Sequence, residues 1–161
     1  MINESSLITY LESDEIIKCE DLFDWGKQIY IFLDYMNGSS MDKVIRDYHQ
    51  SYSEDFCKYT LYKAAMGLMK MHGYNVIHRD FKSSNILCSD DGEVKVADIG
   101  LSVLLSQQAA YRKTRKSTLN WISPEVVLGV QYSKEIDVWA LGCFAYELAT
   151  GTSLYHNIDR S

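Results

Sequence analysis

The apolar residues change period several times along the chain, and each change marks an element. Leu7, Ile8 and Leu11 recur at helical spacing behind Asn3 and Glu4, so the first residues read as the last turns of a helix. Residues 21–25 and 28–35 flank the turn pair Gly26-Lys27, and the second run alternates Ile29, Ile31 and Leu33 against Tyr30 and Phe32. That is a strand period around a tight turn, and it predicts a hairpin. Residues 37–40, Asn-Gly-Ser-Ser, interrupt the pattern, and 41–48 can form a short amphipathic helix.

From 55 to 72 the residues Leu61, Tyr62, Ala65, Met66, Leu68 and Met69 lie at helical spacing, while Thr60, Lys63, Gly67 and Lys70 gather on the other side. The expectation is a helix that packs its first set into the core and is capped at Gly73. Residues 86–88 and 94–96 are short apolar runs around Asp90-Asp91-Gly92, a second hairpin that delivers Asp98 close behind the preceding loop. Residues 101–123 have no firm period but carry hydroxyls among basic residues, which suggests a long functional loop. Residues 136–149 are apolar on nearly every face, with Gly151 placed to end them. Such a helix belongs at the centre of a domain.

The densest chemistry lies in residues 76–85, Val-Ile-His-Arg-Asp-Phe-Lys-Ser-Ser-Asn. Asp80 could take the proton of an attacking hydroxyl, with Lys82 and Asn85 left to handle phosphate charge and a metal ion. Composition narrows the setting further. The 161 residues are 47% hydrophobic and 24% charged, which is ordinary for one globular domain or part of one. A net charge of -6 argues against a nucleic-acid surface, in spite of the basic island at 112–116. Cys19, Cys57, Cys88 and Cys143 show no metal-ligand spacing, so reduced thiols in a cytoplasmic setting are expected. No secretory signal opens the chain, and the apolar run 138–148 is too short to span a bilayer, so no membrane role is expected.

Single motifs here are weak, but their order is specific. The loop from His78 to Asn85 precedes a hairpin ending in Asp98-Ile99-Gly100, then the hydroxyl-rich loop, then Ser123-Pro124-Glu125, then 137–142, Asp-Val-Trp-Ala-Leu-Gly. That set resembles the C-terminal lobe of a eukaryotic protein kinase of the serine/threonine type. Asp-Ile-Gly stands for Asp-Phe-Gly and Ser-Pro-Glu for Ala-Pro-Glu. The resemblance implies ATP and Mg²⁺ as cofactors and a protein substrate with a Ser or Thr acceptor. Asp80 would be the base, Lys82 the cation facing the γ-phosphate, and Asn85 and Asp98 the metal ligands. It places residues 34–36, with Asp34 and Met36, in the hinge that meets adenine through backbone groups, behind a gatekeeper at Leu33. Leu87 would lie beneath the adenine ring. His78 and Ile99 would belong to an apolar column between lobes, and Asp137 would anchor the catalytic loop, since a buried carboxylate must accept hydrogen bonds.

Residues 114–125 are most similar to the activation segment of the germinal-centre and mixed-lineage-type kinases, and the chain as a whole most resembles the germinal-centre/Sterile-twenty group. Thr118 then takes the substrate-loop position and Thr114 the phosphorylation site, implying an upstream kinase acting on Thr114. A phosphate there adds nearly two negative charges that Arg79 could pair with. Glu4 falls where the family has its helix glutamate, and Glu125 where its partner is a later arginine. The implied fold is α+β: a partial kinase-like domain over 1–161, with 1–36 a remnant of the N-lobe sheet and hinge and 37–161 an incomplete helical C-lobe. The glycine-rich loop and the ATP-positioning lysine have no counterpart in these residues, so the expectation is a fragment with negligible activity alone. The alternative is a non-catalytic kinase-like binding or scaffold protein.

Overall fold

The alternation around Gly26 becomes an antiparallel ribbon in the computed structural model, which describes residues 11, 13–26, 28–48, 52–99, 102–104 and 119–155. Strand β1 (Cys19–Trp25) pairs with β2 (Gln28–Leu33), and Trp25 faces Gln28 beside the turn. Gly26 sits at φ +72°, a left-handed conformation that glycine adopts without a Cβ penalty. The strand ends at Leu33, two residues short of the expectation, and 34–36 continue without regular structure. Of the expected first helix only Leu11 lies within the described residues, and it is buried.

The second hairpin forms as predicted, with β5 (Ile86–Cys88) against β6 (Val94–Val96) in the register Ile86 to Val96. A two-residue strand β3 (Ser39–Ser40) adds to β5 and feeds helix α1 (Met41–Tyr48), which buries Met41 and Ile45. The stretch before β1 joins this sheet from the other side: Ile17 donates to the Val96 carbonyl at 2.8 Å and Val96 donates to Glu15 at 2.8 Å.

Helix α2 (Glu54–Gly73) starts at Ser53, whose hydroxyl accepts from the Phe56 amide at 3.2 Å. Glu54 and Asp55 near its start and Lys70 and His72 near its end suit the helix dipole. Its inward face differs from the expectation. Thr60, Ala64, Gly67, Leu68 and Met71 are buried, whereas Tyr62 and Met69 are about 60% exposed. The reason lies at Gly67. A Cβ there would sit 2.6 Å from Val96 Cγ2 and 2.9 Å from the Glu15 carbonyl oxygen, so the missing side chain lets the helix press on β6. Backbone proximity, not side-chain apolarity, sets the rotation. Gly73 is the last helical residue and not the cap. Tyr74 caps the helix, and Asn75, at φ +56°, turns the chain.

Two-residue strands β4 (Val76–Ile77) and β7 (Val103–Leu104) pair antiparallel across the site. After a single 3₁₀ turn (Leu119–Trp121) and the short helix α3 (Pro124–Val127), helix α4 (Glu135–Thr150) runs to Gly151. That glycine adopts φ +75° and donates to the Glu147 carbonyl at 2.8 Å, a left-handed cap as predicted. Helix α4 is central on one face only: Ala140, Phe144 and Leu148 join the core, and Val138 is 59% exposed. Among the described residues the main core cluster gathers α2, α4 and the β5–β6 hairpin around Phe81 and Ile99, and a smaller one joins Ile77 to Ile136.

Candidate active site

The site begins where β4, fully buried, releases the chain into His78 and Arg79. Arg79 adopts φ +72°, a conformation that costs a side-chain-bearing residue on the order of 1–3 kcal/mol. One carboxylate holds it there. Asp137 of α4, 1% exposed, accepts from the His78 amide at 2.8 Å and from the Arg79 amide at 2.9 Å. His72 of α2 brings Nε2 to 2.8 Å from the same carboxylate. Lys134 fastens the end of α2 to α4, donating to the His72 carbonyl at 2.6 Å and to Asn75 Oδ1 at 3.1 Å.

His78 is completely buried, and both its ring nitrogens are engaged. Nδ1 lies 3.3 Å from the Asp80 amide that donates to it, which leaves Nε2 to carry the proton toward the Ala97 carbonyl at 3.1 Å. The ring also meets Phe81 edge-on, with centroids 5.8 Å apart, and Phe81 meets Phe144 in the same manner at 6.0 Å.

Beyond this anchor the reactive groups converge. Lys82 Nζ lies 2.6 Å from Asp80 Oδ2, with the carboxylate 9% exposed and the lysine 19%. Asn85 closes a 3₁₀ turn (Ser83–Asn85) and donates its amide to the Asp80 carbonyl at 2.8 Å. That bond fixes the side chain so that its oxygen remains an acceptor. Ala97 donates to the Asn85 carbonyl at 2.8 Å, which brings the next residue, Asp98, beside the turn. Asp98 is exposed and held at φ +56°, while Ile99 is buried in the core. Asn85 and Asp98 together offer hard oxygen donors of the kind Mg²⁺ prefers. Among the described residues no group of three His, Cys, Asp or Glu could hold a metal, so these two would share an ion with nucleotide phosphates and water.

Leu87 is half-buried on β5, and Lys95 of β6 is its cross-strand partner. Asp34 and Met36 are half-buried after β2, and Leu33 is 43% exposed. The Lys95 ammonium, 2.9 Å from Asp34 Oδ2, holds the Asp34 carboxyl below its usual range. Glu125 opens α3 and lines a surface cavity with Tyr132 and Glu135. A narrower cavity beside the catalytic loop is lined by Arg79, Asp80, Trp121, Ser123 and Asp137, and Ser123 Oγ is buried there with no hydrogen-bond partner among the described residues. Glu4, Thr114 and Thr118 lie outside the described residues, as does Gly100.

Sequence reasoning did not single out His72, Lys134, Lys95 or Glu147. The first two sit on helix ends, where basic residues are ordinary dipole partners and carry no separate signal. Glu147 was visible as a charge in an apolar helix. It is 8% exposed, and burial pushes its carboxyl above the usual range, opposed by a hydrogen bond from Ser83.

An α+β scaffold gathers Asp80, Lys82, Asn85 and Asp98 around one strained loop, residue types of the kind that phosphoryl transfer uses. The comparisons with known proteins agree. The protein kinase domain family model matches residues 1–161, and the chain belongs to that family. Relatives include the serine/threonine-protein kinase pakA of Talaromyces marneffei, 33% identical over 157 residues, covering 96% of this chain and 24% of that protein. STE20 of Yarrowia lipolytica is 31% identical over 98% of the chain and 14% of its own length. Nek9 of Xenopus laevis is 32% identical over 96% of the chain and 16% of its own length. The chain thus spans no more than about a quarter of each of these relatives. Among the described residues no helix is long and apolar enough to cross a membrane.

Proposed function

We propose that the protein transfers the γ-phosphate of ATP to serine or threonine hydroxyls of protein substrates. The observation that carries this reading is the convergence of Asp80, Lys82 and Asn85 on a loop whose backbone is held by Asp137. Asp80 Oδ2 accepts the proton of the incoming hydroxyl. Lys82, already at hydrogen-bond distance from that oxygen, balances charge on the transferring group without moving far. Asn85 and Asp98 would hold Mg²⁺, which supplies charge neutralisation at the phosphates when bound with ATP.

The adenine end falls to Leu87 and to the backbone of Asp34 and Met36. Thr114 is the phosphorylation site for an upstream kinase, with Arg79 as its partner, and Thr118 borders the acceptor. His78 and Ile99 belong to an apolar column that couples the lobes, and Glu125 anchors the end of the substrate segment. The protein acts in the cytoplasm. These assignments rest on motif positions together with the site's chemistry.

The test is transfer of radiolabelled phosphate from ATP by the intact protein. Asp80→Asn should cut the rate by roughly 10²- to 10⁴-fold while nucleotide binding survives. Transfer undiminished in that variant would overturn the reading.

A further inference from the structure

The β1–β2 ribbon and the β3–β5–β6 sheet are separate hydrogen-bonded units. Between them, residue 34 is held twice. Its amide donates to the Lys18 carbonyl at 3.0 Å, and its carboxylate receives Lys95 Nζ at 2.9 Å. Lys95 stands on β6 directly across from Leu87. Facing residues of an antiparallel pair project to the same side, so the lysine rises from the face that carries the proposed adenine floor.

Among the described residues this pair shares its shielding with Lys63 and Glu15 and differs from the exposed surface pairs. Lys18 with Glu20 and Lys58 with Glu54 have side chains more than half exposed, where an ion pair contributes little. Lys95 is 13% exposed and Asp34 22%, so here the charges are largely shielded and their geometry is position-specific. Glu93, the second carboxylate near Lys95, is 3.4 Å away and 54% exposed, a weaker partner.

We propose that Lys95 is a positioning residue for the adenine end of the nucleotide site, acting through Asp34 to fix residues 34–36 over Leu87. The inference rests on the nucleotide-binding reading above. It assigns to Lys95 no contact with the nucleotide; its effect is the placement of the backbone groups that make the contact.

The experiment titrates the intact protein calorimetrically with two separate probes, adenosine and Mg²⁺-tripolyphosphate. Lys95→Met should weaken adenosine about tenfold and leave tripolyphosphate unchanged, and Lys95→Arg, which keeps the cation, should bind both like the wild type. Asp34→Asn should reproduce the adenosine-selective loss, and it carries the test if Lys95→Met does not fold. Wild-type adenosine affinity in the folded charge-removal variants, or equal losses for both probes, would overturn the proposal. A wild type that binds tripolyphosphate and not adenosine would sink the adenine reading itself, and the role of Lys95 with it.

Discussion

The turn over residues 78–85 and the β1–β2 ribbon use opposite means to hold their shape. In the turn His78, Asp80, Ser83 and Asn85 are polar and buried, and one carboxylate from a distant helix fixes two of its amides. In the ribbon Phe23, Trp25, Ile29 and Phe32 are apolar and more than half exposed, and its contact with the core runs through Cys19 and Ile31, both only partly buried. Its order comes from the backbone ladder and from cross-strand contacts such as Phe23 on Phe32, edge-on at 5.5 Å. An isolated two-stranded ribbon is marginally stable in water, whereas a buried polar network opens only with much of the fold. Hydrogen exchange should therefore show the amides of His78 and Arg79 protected far beyond those of Tyr30 and Ile31.

Removing the carboxylate is the harshest way to break the contrast. Asp137→Ala strands two loop amides and the His72 ring inside the protein, and should cost about 3–5 kcal/mol in urea denaturation. The ribbon offers no equivalent: Trp25→Ser, at a residue 81% exposed, should change stability by less than about 0.5 kcal/mol. Equal losses in the two variants would dissolve the distinction.

The same contrast explains what could be read in advance. Both hairpins, helix α1 and the cap at Gly151 were legible because each depends on local signals: alternation, a turn pair, a glycine with φ above zero. The order of His78, Asp80, Asn85, Asp98 and Asp137 pointed to the candidate site for a related reason, since phosphoryl transfer limits which residue types can serve. The face of α2 was not legible. Its apolar residues nearly encircle it, and the choice was made by a close approach at Gly67 that depends on where Val96 and Glu15 lie in space. Strands β4 and β7 were missed because two residues carry no period. Lys95 and His72 were missed because their partners, Asp34 and Asp137, are about sixty residues away in sequence.

The close approach gives the next largest effects. Leu68→Ala, on the buried face of α2, should cost about 2–5 kcal/mol, and Met69→Ala, one residue on, less than about 0.5. Gly67→Ala forces a methyl against the backbone of residue 15 and the side chain of Val96, and should cost about 1–3 kcal/mol by overpacking. Gly142→Ala meets nothing within 4 Å and relieves a helix of its glycine, so it should stabilise by about 0.5–1 kcal/mol. A thermal melt of the two glycine variants with opposite shifts would sharpen the point that packing distance, not helix propensity, decides at residue 67.

A last contrast is set by pH and concerns buried carboxyls whose polar atoms are not all satisfied. Glu147 Oε2 and Asp42 Oδ1 are both buried without hydrogen-bond partners among the described residues, and the nearby Asp42 charge adds to the burial that raises the Glu147 carboxyl. A carboxyl raised in the folded state binds its proton more tightly there than in the unfolded chain. Stability from this group is therefore full below the unfolded value near 4.5 and is lost as pH rises through the folded one. Glu15 runs the other way. Its hydrogen bond from Lys63 lowers the carboxyl, so its contribution is present above the unfolded value and is lost as pH falls through the folded one. Glu147→Gln removes the ionisation and places an amide donor on the side of Asp42, and should raise stability at neutral pH on the order of 1 kcal/mol. Glu15→Gln should lower it at neutral pH and leave it nearly unchanged in acid. Denaturation curves across pH 4 to 8 separate the two, because the difference from wild type grows with pH in both variants but with opposite sign.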